Sequence, residues 1–307
     1  MRKSPTKIYG GIEAGGTKFV CALGTGPGDL HELVQFPTTM PAETIGKVID
    51  FLQGCALREP LAAIGIASFG PLDLNAESAT YGYIINTPKA GWTDVNFAGS
   101  VRDALDIPVV IDTDVNGAAL AEWTWGAAQG LDSFIYLTIG SGIGGGGMVS
   151  GQLMHGLVHP EMGHIHIPHD LKLDPFPGSC PYHRDCWEGL ASGASLERRL
   201  GKRPKDIPPD HPAWLVEAGY LALGVVNLIY ALSPQRIILG GGILKVPGLL
   251  PAVRREVKKL MHGYLSSAMI IGRIDHYLVP PQLGDMSGVL GAIALARRIP
   301  IIDIPVN

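Results

Sequence analysis

The chain has 307 residues, 46% of them hydrophobic, and a formal net charge of −4 at pH 7. Its length and apolar content predict a large core divided between two domains, and the lack of excess basic charge argues against a nucleic-acid or anionic-membrane partner. No apolar run approaches the roughly 20 residues of a membrane span, and the basic start "MRKSPTK" precedes a strand-like segment rather than a signal core. We therefore expect a cytoplasmic protein.

The first predicted element is a β-hairpin in the segment "YGGIEAGGTKFVCAL", residues 9–23. The segment nearly matches the P-loop pattern G-x-x-x-x-G-K-[ST], but Thr17 precedes Lys18, and the apolar residues that follow continue as a strand rather than a helix. Glycine allows a turn to adopt positive φ and leaves room for a phosphate to approach the backbone. The turn could therefore present N–H groups and the Thr17 hydroxyl to phosphates.

A second segment, "FIYLTIGSGIGGGGMVSG" at residues 134–151, repeats this pattern of an apolar run followed by a glycine-rich turn. Elsewhere, strand-like and helical patterns alternate. The other strands are predicted at 61–70, 107–114 and 235–243, and the helices at 45–56, 97–106, 115–128, 217–234 and 285–299. Such alternation is typical of an α/β fold with mostly parallel sheets, in which ligands bind at the carboxyl ends of strands. Two hairpins, one in each half, would hold a nucleotide between two domains.

Asp114 follows the predicted strand "IPVVIDT", so that a buried strand delivers it to the edge of a sheet. This position favours a catalytic carboxylate. Asp is also a common helix N-cap, and "NGAALAE" begins a helix just afterwards. Asn116 could fill the capping role instead and leave Asp114 available for chemistry.

A loop rich in His and Cys lies in "HPEMGHIHIPHDLKLDPFPGSCPYHRDCWEG", residues 159–189. Two cysteines and two histidines in a tetrahedral array form a closed, structural zinc site, and in a cytosolic chain such cysteines favour a metal over a disulfide. The alternative is a His-rich surface loop with two free thiols. The candidate ligands are His164, Cys180, His183 and Cys186, with His155, His159, His166 and His169 as other candidates for the fourth position.

Two acidic residues, Glu161 and Glu188, bracket the Cys-containing part of this loop. A carboxylate accepts two hydroxyl donors, which suits a ligand that carries many hydroxyl groups. The alternative is a pair of solvent-exposed acids, which is the usual environment of glutamate.

Together, the segments resemble the ROK sugar kinases of the actin–hexokinase–Hsp70 superfamily. "GGIEAGGTKF" and "LTIGSGIGGG" resemble the two phosphate segments, "IILGGGI" the adenosine turn, and "IDTDVNGAALAE" the segment of the catalytic aspartate. "HPEMGHIHI" and "CPYHRDCWEGLASG" resemble the sugar-and-zinc signature. The resemblance covers nearly the whole chain, in the family's order. The spacing C-x-x-H-x-x-C before "WEGLASG" is similar to the ROK fructokinases, whereas most ROK glucokinases and N-acetylhexosamine kinases have C-x-C-x-x-x-x-C.

The resemblance implies an α/β protein of two ribonuclease H-like, or actin-like ATPase, domains with an active-site cleft between them. We expect residues 1–114 and about 285–307 to form the N-terminal domain, and residues 115–284, with the zinc loop, to form the C-terminal domain. The implied activity is ATP-dependent phosphorylation of D-fructose at the 6-hydroxyl, with Mg²⁺ accompanying ATP and a structural Zn²⁺. The partners would be ATP or ADP and a hexose, without nucleic acid or membrane, and a homodimer is expected by analogy alone.

The resemblance also implies roles for individual residues. Asp114 is the implied base, and Glu13, where Asp is common in the superfamily, is an implied magnesium residue. The implied ATP-binding residues are Gly15, Gly16, Thr17, Lys18, Thr138, Gly140, Gly142, Gly240, Gly241 and Gly242. The implied sugar-binding residues are Gly70, Asn86, Thr113, Asp114, Glu161, His164 and Glu188. The implied zinc ligands are His164, Cys180, His183 and Cys186. Ala194, near the expected nucleotide, departs from the Pro of many fructokinases.

The activity has two alternatives. The first is the same kinase acting on glucose, on mannose or on a broad range of hexoses. The second is a sugar-sensing regulator without catalysis, since some ROK members carry an N-terminal helix-turn-helix. We expect no such domain here, because the first phosphate segment begins at Tyr9. The presence of Asp114 and of both hairpins also argues against a catalytically inactive sensor.

Overall fold

A computed structural model describes residues 7–299. The first six and last eight residues of the predicted N-terminal domain lie outside the described residues. The strands, in chain order, are β1 (Ile8–Ala14), β2 (Lys18–Gly26), β3 (Asp29–Pro37), β4 (Leu61–Ser68), β5 (Tyr83–Ile84), β6 (Val95–Asn96), β7 (Val109–Thr113), β8 (Phe134–Ile139), β9 (Ile143–Val149), β10 (Gln152–Leu153), β11 (Ile237–Gly240) and β12 (Leu278–Val279). The α-helices are α1 (Pro41–Ala56), α2 (Phe97–Leu105), α3 (Asp114–Trp125), α4 (Trp187–Ala191), α5 (Gly193–Leu200), α6 (Ala213–Leu232), α7 (Leu249–Met261), α8 (Ala268–Ile271), α9 (Ile274–Tyr277) and α10 (Ser287–Arg297).

The contacts divide the described residues into two compact units. The first unit contains residues 7–129, 153–159 and 285–299, and the second contains residues 130–152 and 160–284. This division does not coincide with the predicted boundary after residue 114. The reason is that α3 packs against α10 and β4, and both of these elements belong to the first unit.

The first unit is built on a five-stranded sheet in the order β3–β2–β1–β4–β7. Strands β1 to β3 are antiparallel, whereas β4 runs parallel to both β1 and β7. Side chains alternate along β4: Ile64 and Ile66 pack in a core with α1 and α2, and Ala67 packs on the opposite face with Leu120 of α3 and Ala292 of α10. Burial on both faces explains why β4 is a continuous apolar run in the sequence.

Gly65 lies on the face of β4 that α10 covers, where an added Cβ would fall 1.9 Å from the carbonyl oxygen of Ala292. Such a close approach requires glycine. Replacing Gly65 with Ala is expected to lower the free energy of unfolding by about 1–3 kcal/mol, measured by urea denaturation. The matched control is Gly46→Ala in α1, where a Cβ has no described neighbour within 4 Å. This substitution is expected to raise the free energy of unfolding by about 0.5–1 kcal/mol. Equal stabilities of the two variants would contradict this packing.

The second unit repeats this plan with a five-stranded sheet in the order β10–β9–β8–β11–β12. Strands β8 and β9 form an antiparallel hairpin, and β11 runs parallel to both β8 and β12. Strand β8 is therefore the counterpart of β1, since each has a hairpin partner on one side and a parallel strand on the other. The weak sequence echo between the two glycine-rich hairpins is thus a structural repeat.

Helix α6 has the length and composition of a membrane span, with a mean hydropathy of 1.7 over its most apolar window. The expectation that no apolar run approaches this length is therefore wrong for α6. However, 56% of that window is buried inside the protein, and Leu221, Val225 and Ile229 are among its buried side chains. Burial of this kind is the environment of a core helix in a globular unit.

Candidate active site

Asp114 begins α3 directly after β7 ends at Thr113. Thr113 is the N-cap of this helix, because its Oγ1 accepts the N–H of Asn116 at 3.1 Å. The alternative in which Asp114 or Asn116 caps the helix is therefore wrong. The half-buried carboxylate of Asp114 accepts the N–H of Val115 at 2.9 Å. The end of a buried strand and the first turn of a helix together fix the backbone from which this carboxylate projects.

A second carboxylate, Glu13 of β1, lies within electrostatic range of Asp114 in the same unit. Burial and the charge of Asp114 raise the pKa of Glu13 to about 7, although Lys18 and the N–H of Val289 in α10 oppose this rise. Asp285 adds a further negative charge. A cation beside these groups would relieve their repulsion, and carboxylate oxygens are ligands that Mg²⁺ prefers. The acidic set therefore concentrates negative charge at a place where a cation would be stabilised.

The turn between β1 and β2 has its carbonyl groups occupied by protein donors. Gly15 O accepts the hydroxyl of Thr38 at 2.7 Å, and Thr17 O accepts the N–H of Thr38 at 3.0 Å. Gly16 O accepts the ammonium of Lys89 at 2.5 Å. Within residues 7–299, the N–H groups of Gly16 and Thr17 donate to no protein acceptor. The turn thus offers unused backbone donors, which is the property of an anion-binding turn.

The turn between β8 and β9, residues 140–142, is arranged in the same way. Gly140 O accepts the N–H of Gly193 at 2.7 Å, and Ser141 O accepts the N–H of Ala194 at 3.2 Å. In the described part of the chain, the N–H groups of Ser141 and Gly142 have no acceptor. Many fructokinases have Pro at the position of Ala194, and proline has no N–H to donate. Ala194 therefore gives this turn a hydrogen bond from the first turn of α5 that a proline could not make.

The predicted adenosine segment lies beside this second turn. Thr138 of β8 pairs with Gly240 of β11, and the Thr138 hydroxyl has no hydrogen-bond partner among the described residues. Gly241 has a φ of +95°, and a Cβ there would fall 2.3 Å from the carbonyl oxygen of Ile139. Both the conformation and the space require glycine at this position. Residues 138–142 and 240–242 therefore lie at one edge of the second sheet.

The four predicted zinc ligands form one cluster, since their ligand atoms all lie within 4.8 Å of one another. The Sγ of Cys180 lies 3.8 Å from Nδ1 of His164 and 3.7 Å from Nδ1 of His183. The Sγ of Cys186 lies 3.6 Å from the same His164 nitrogen. A tetrahedral zinc ion with ordinary Zn–S and Zn–N distances would separate sulfur from nitrogen by roughly 3.5–3.6 Å. The donor set and its spacing therefore fit zinc.

The other histidines considered as the fourth ligand are not part of this cluster. His155 and His159 belong to the first unit. His166 and His169 belong to the second unit but contribute no atom to the four-residue cluster. The geometry therefore selects His164 from the five candidates.

Glu161 and Glu188 lie close enough for their charges to interact, and burial together with the charge of Glu188 raises the pKa of Glu161 to about 7. Glu188, in the first turn of α4, accepts the N–H of Ile143 through Oε2 at 2.8 Å. A Cβ at Gly142 would fall 2.4 Å from that oxygen. The predicted sugar segment is therefore bonded directly to the glycine turn of the same unit, a link that the sequence does not reveal.

The remaining predicted sugar residues lie in the first unit. Gly70 follows β4, and Asp114 follows β7; because these strands are parallel neighbours, both residues come to the same edge of the sheet. The Thr113 hydroxyl at this edge caps α3. Asn86 follows β5 and is exposed to solvent.

Two polar residues beside these positions, Lys89 and His155, carry no local sequence signal for their contacts. The ammonium of Lys89 binds the turn carbonyl of Gly16, 73 residues away. His155 contacts Asp112, 43 residues away. Neither pairing follows from strand or helix periodicity, because residues 85–92 and 154–159 form no regular element. These contacts extend the candidate site beyond the residues that the motifs identify.

Comparison with known proteins identifies the family of the chain. Residues 9–299 match the ROK family. A fructokinase of Zymomonas mobilis subsp. mobilis is 44% identical over 96% of this chain and 98% of its own, and a fructokinase of Pediococcus pentosaceus is 41% identical over 94% and 98%. A ROK family glucokinase from Streptomyces griseus, solved with glucose and AMPPNP, is 25% identical and aligns with 95% of this chain and 99% of its own at a TM-score of 0.73. The predicted actin-like ATPase fold class is confirmed. The chain belongs to the ROK family.

Proposed function

We propose that the protein transfers the γ-phosphoryl group of ATP to the 6-hydroxyl of D-fructose and releases D-fructose 6-phosphate and ADP. The observation that carries this proposal is the similarity of nearly the whole chain to two proteins named fructokinase, at 44% and 41% identity. The neighbour solved with glucose and AMPPNP supports a sugar and an adenine nucleotide as the ligands.

In the proposed reaction, Asp114 accepts the proton of the 6-hydroxyl while that oxygen forms its bond to the γ-phosphorus. The bond between the γ-phosphorus and the bridging oxygen breaks, and its electron pair leaves with ADP. Phosphoryl transfer depends mainly on positioning and charge neutralisation, so an ordinary carboxylate suffices as the base. It must lie about 2.6–3.2 Å from the hydroxyl oxygen in the reactive complex.

We assign the phosphates of ATP to the two glycine turns. The unused N–H groups of Gly16, Thr17, Ser141 and Gly142 would donate to phosphate oxygens, with the hydroxyls of Thr17 and Thr138. Gly15, Lys18 and Gly140 shape these turns, and Gly240 to Gly242 would border the adenosine. Mg²⁺ bound to ATP neutralises phosphate charge, and Glu13 would hold that ion directly or through water.

We further propose that His164, Cys180, His183 and Cys186 hold a structural zinc ion that fixes the loop around Glu161 and Glu188. These two carboxylates would accept sugar hydroxyls. His164 faces the cluster with Nδ1, so its Nε2–H would be available to a sugar hydroxyl. Gly70 and Asn86 would border the sugar in the first unit.

Replacing Thr138 with Val is expected to raise the KM for ATP about tenfold or more with little change in the KM for sugar, because a hydrogen bond to an anionic phosphate oxygen is lost. Replacing Gly142 with Ala is expected to raise both KM values, because the new Cβ displaces the Glu188 carboxylate. Steady-state kinetics with each substrate varied in turn measure both effects. A selective rise in sugar KM for Thr138→Val would contradict the assignment of this turn to ATP.

The product identifies the reaction. Protein incubated with ATP, Mg²⁺ and D-fructose is expected to yield fructose 6-phosphate, resolved by ³¹P NMR against authentic 1- and 6-phosphates. Fructose 1-phosphate as the product, or ADP release without a sugar phosphate, would overturn the proposal. Glucose is the second candidate acceptor, because the Streptomyces griseus neighbour was solved with it.

A further inference from the structure

Asp112 is a buried carboxylate two residues before Asp114, and only 4% of its surface is exposed. Its Oδ1 accepts the N–H of Thr113 at 2.7 Å and the side-chain amide of Asn116 at 3.0 Å. Its Oδ2 lies 2.9 Å from Nε2 of His155. Three donors around one carboxylate offset the cost of removing its charge from water. Asp112 thus joins the end of β7, the first turn of α3 and a third segment of the chain.

That third segment, residues 153–159, belongs to the first unit although the residues on both sides of it in the sequence belong to the second. It is attached near both ends. The side-chain amide of Asn116 donates to Met154 O at 3.3 Å, and the N–H of Leu72 donates to Nε2 of His159 at 2.9 Å. Two residues after His159, the chain reaches Glu161.

The three bonds of Asp112 enclose the short stretch of backbone that carries Asp114. Thr113 and Asn116 flank Asp114 on either side, and both donate to the same oxygen of Asp112. His155 holds the other oxygen, so the carboxylate cannot rotate without breaking a bond. Because a carboxylate accepts, Nε2 of His155 carries the proton in this contact. The backbone that carries Asp114 is therefore held in part by His155, a residue that lies outside β7 and α3.

We propose that Asp112 and His155 are positioning residues for phosphoryl transfer: they fix the direction of the Asp114 carboxylate without touching either substrate. The proposal rests on the proposed role of Asp114 as the base. A misplacement of about 1 Å in a reacting group can lower a rate by about 100-fold. Loss of the contact should therefore act on kcat, whereas binding of ATP and of the sugar, which relies on other groups, should persist.

The test uses His155 because 42% of its side chain is exposed, so its replacement leaves no large cavity. His155→Leu, which cannot donate to Asp112, is expected to lower kcat about 10-fold to 100-fold, with both KM values within about threefold of wild type. His155→Gln, which places an N–H donor near the position of Nε2, is expected to recover most of that loss. Asp112→Asn, which keeps the shape and removes the charge, is expected to lower kcat at least as far as His155→Leu.

The matched control is His31→Leu. His31 also contacts two carboxylates, with Nδ1 2.7 Å from Glu59 and Nε2 3.2 Å from Asp29, but its side chain lies on the solvent-exposed face of β3. The His31→Leu substitution is expected to leave kcat within about twofold of the wild-type value. Melting curves of each variant establish that folded protein is compared.

A kcat for His155→Leu within threefold of wild type would overturn the proposal. It would also fail if His155→Gln were as slow as His155→Leu, or if the sugar KM rose instead of kcat falling. Each assay is run with fructose and with glucose. A chain that prefers glucose would refute the proposed function, whereas the kcat loss would still appear with glucose, since Asp114 serves any acceptor hydroxyl.

Discussion

Replacing Asp114 with Asn is expected to lower kcat for sugar phosphorylation about 10²–10⁴-fold, the usual effect of losing a positioned base. The substitution keeps the size of the side chain and an oxygen that can accept the N–H of Val115. It removes only the group that, in the proposed reaction, takes the proton from the 6-hydroxyl. Folding and nucleotide binding are therefore expected to stay close to wild type, because the glycine turns and the α3 cap are unchanged.

Three measurements check this expectation: steady-state kinetics, a melting curve, and titration with a non-hydrolysable ATP analogue. The matched control is Asp103→Asn, since Asp103 is a solvent-exposed carboxylate on α2 with 65% of its side chain accessible. The control is expected to retain wild-type rates. An Asp114→Asn enzyme within threefold of the wild-type kcat would remove Asp114 from the catalytic role.

Replacing Cys180 with Ser is expected to remove zinc, lower the melting temperature and raise the KM for fructose, with a smaller change in the KM for ATP. A structural zinc site contributes its binding free energy to folding, on the order of 10 kcal/mol in small zinc domains. The KM for fructose is expected to rise because α4, which carries Glu188, begins immediately after Cys186. Elemental analysis of protein purified without a metal-affinity tag measures occupancy, with one zinc per chain expected for wild type.

Among the ligand substitutions, His164→Ala is expected to be the most damaging, since it would remove a zinc bond and a proposed sugar contact together. His166→Ala is the matched control, because His166 lies two residues away but contributes no atom to the cluster. Full zinc occupancy in the His164 variant would move the fourth ligand elsewhere. Wild-type protein without zinc and with an unchanged fructose KM would contradict the whole account of the loop.

Local patterns in the sequence predict the elements that build the site. The strand after the first glycine turn is predictable because Val20 to Leu23 have no helical spacing, and this feature separates the turn from a P-loop. The buried run of β4 is also visible in the sequence. The apolar length of α6 is not, since the predicted helix begins at residue 217, whereas α6 spans Ala213–Leu232. The extent of the first unit cannot be predicted from the sequence. Helix α3 joins this unit through packing on α10, and nothing in the local sequence of α3 indicates that partner.

The candidate site likewise contains features that local sequence predicts and features that it does not. The spacing of Cys180, His183 and Cys186 predicts a metal loop because its ligands are close in the sequence. The choice of His164 over four other histidines requires three-dimensional distances. Likewise, the bond from Ile143 to Glu188 and the contact of His155 with Asp112 join residues 45 and 43 positions apart, and no periodicity connects residues at that separation.

The central claim is that fructose is the preferred acceptor. It is tested most directly by kcat/KM for fructose and for glucose, measured in one ADP-release assay with saturating ATP and Mg²⁺. We predict a kcat/KM for fructose at least about tenfold above that for glucose, which corresponds to about 1.4 kcal/mol of discrimination in the transition state. A kcat/KM for glucose equal to or above that for fructose would contradict the account.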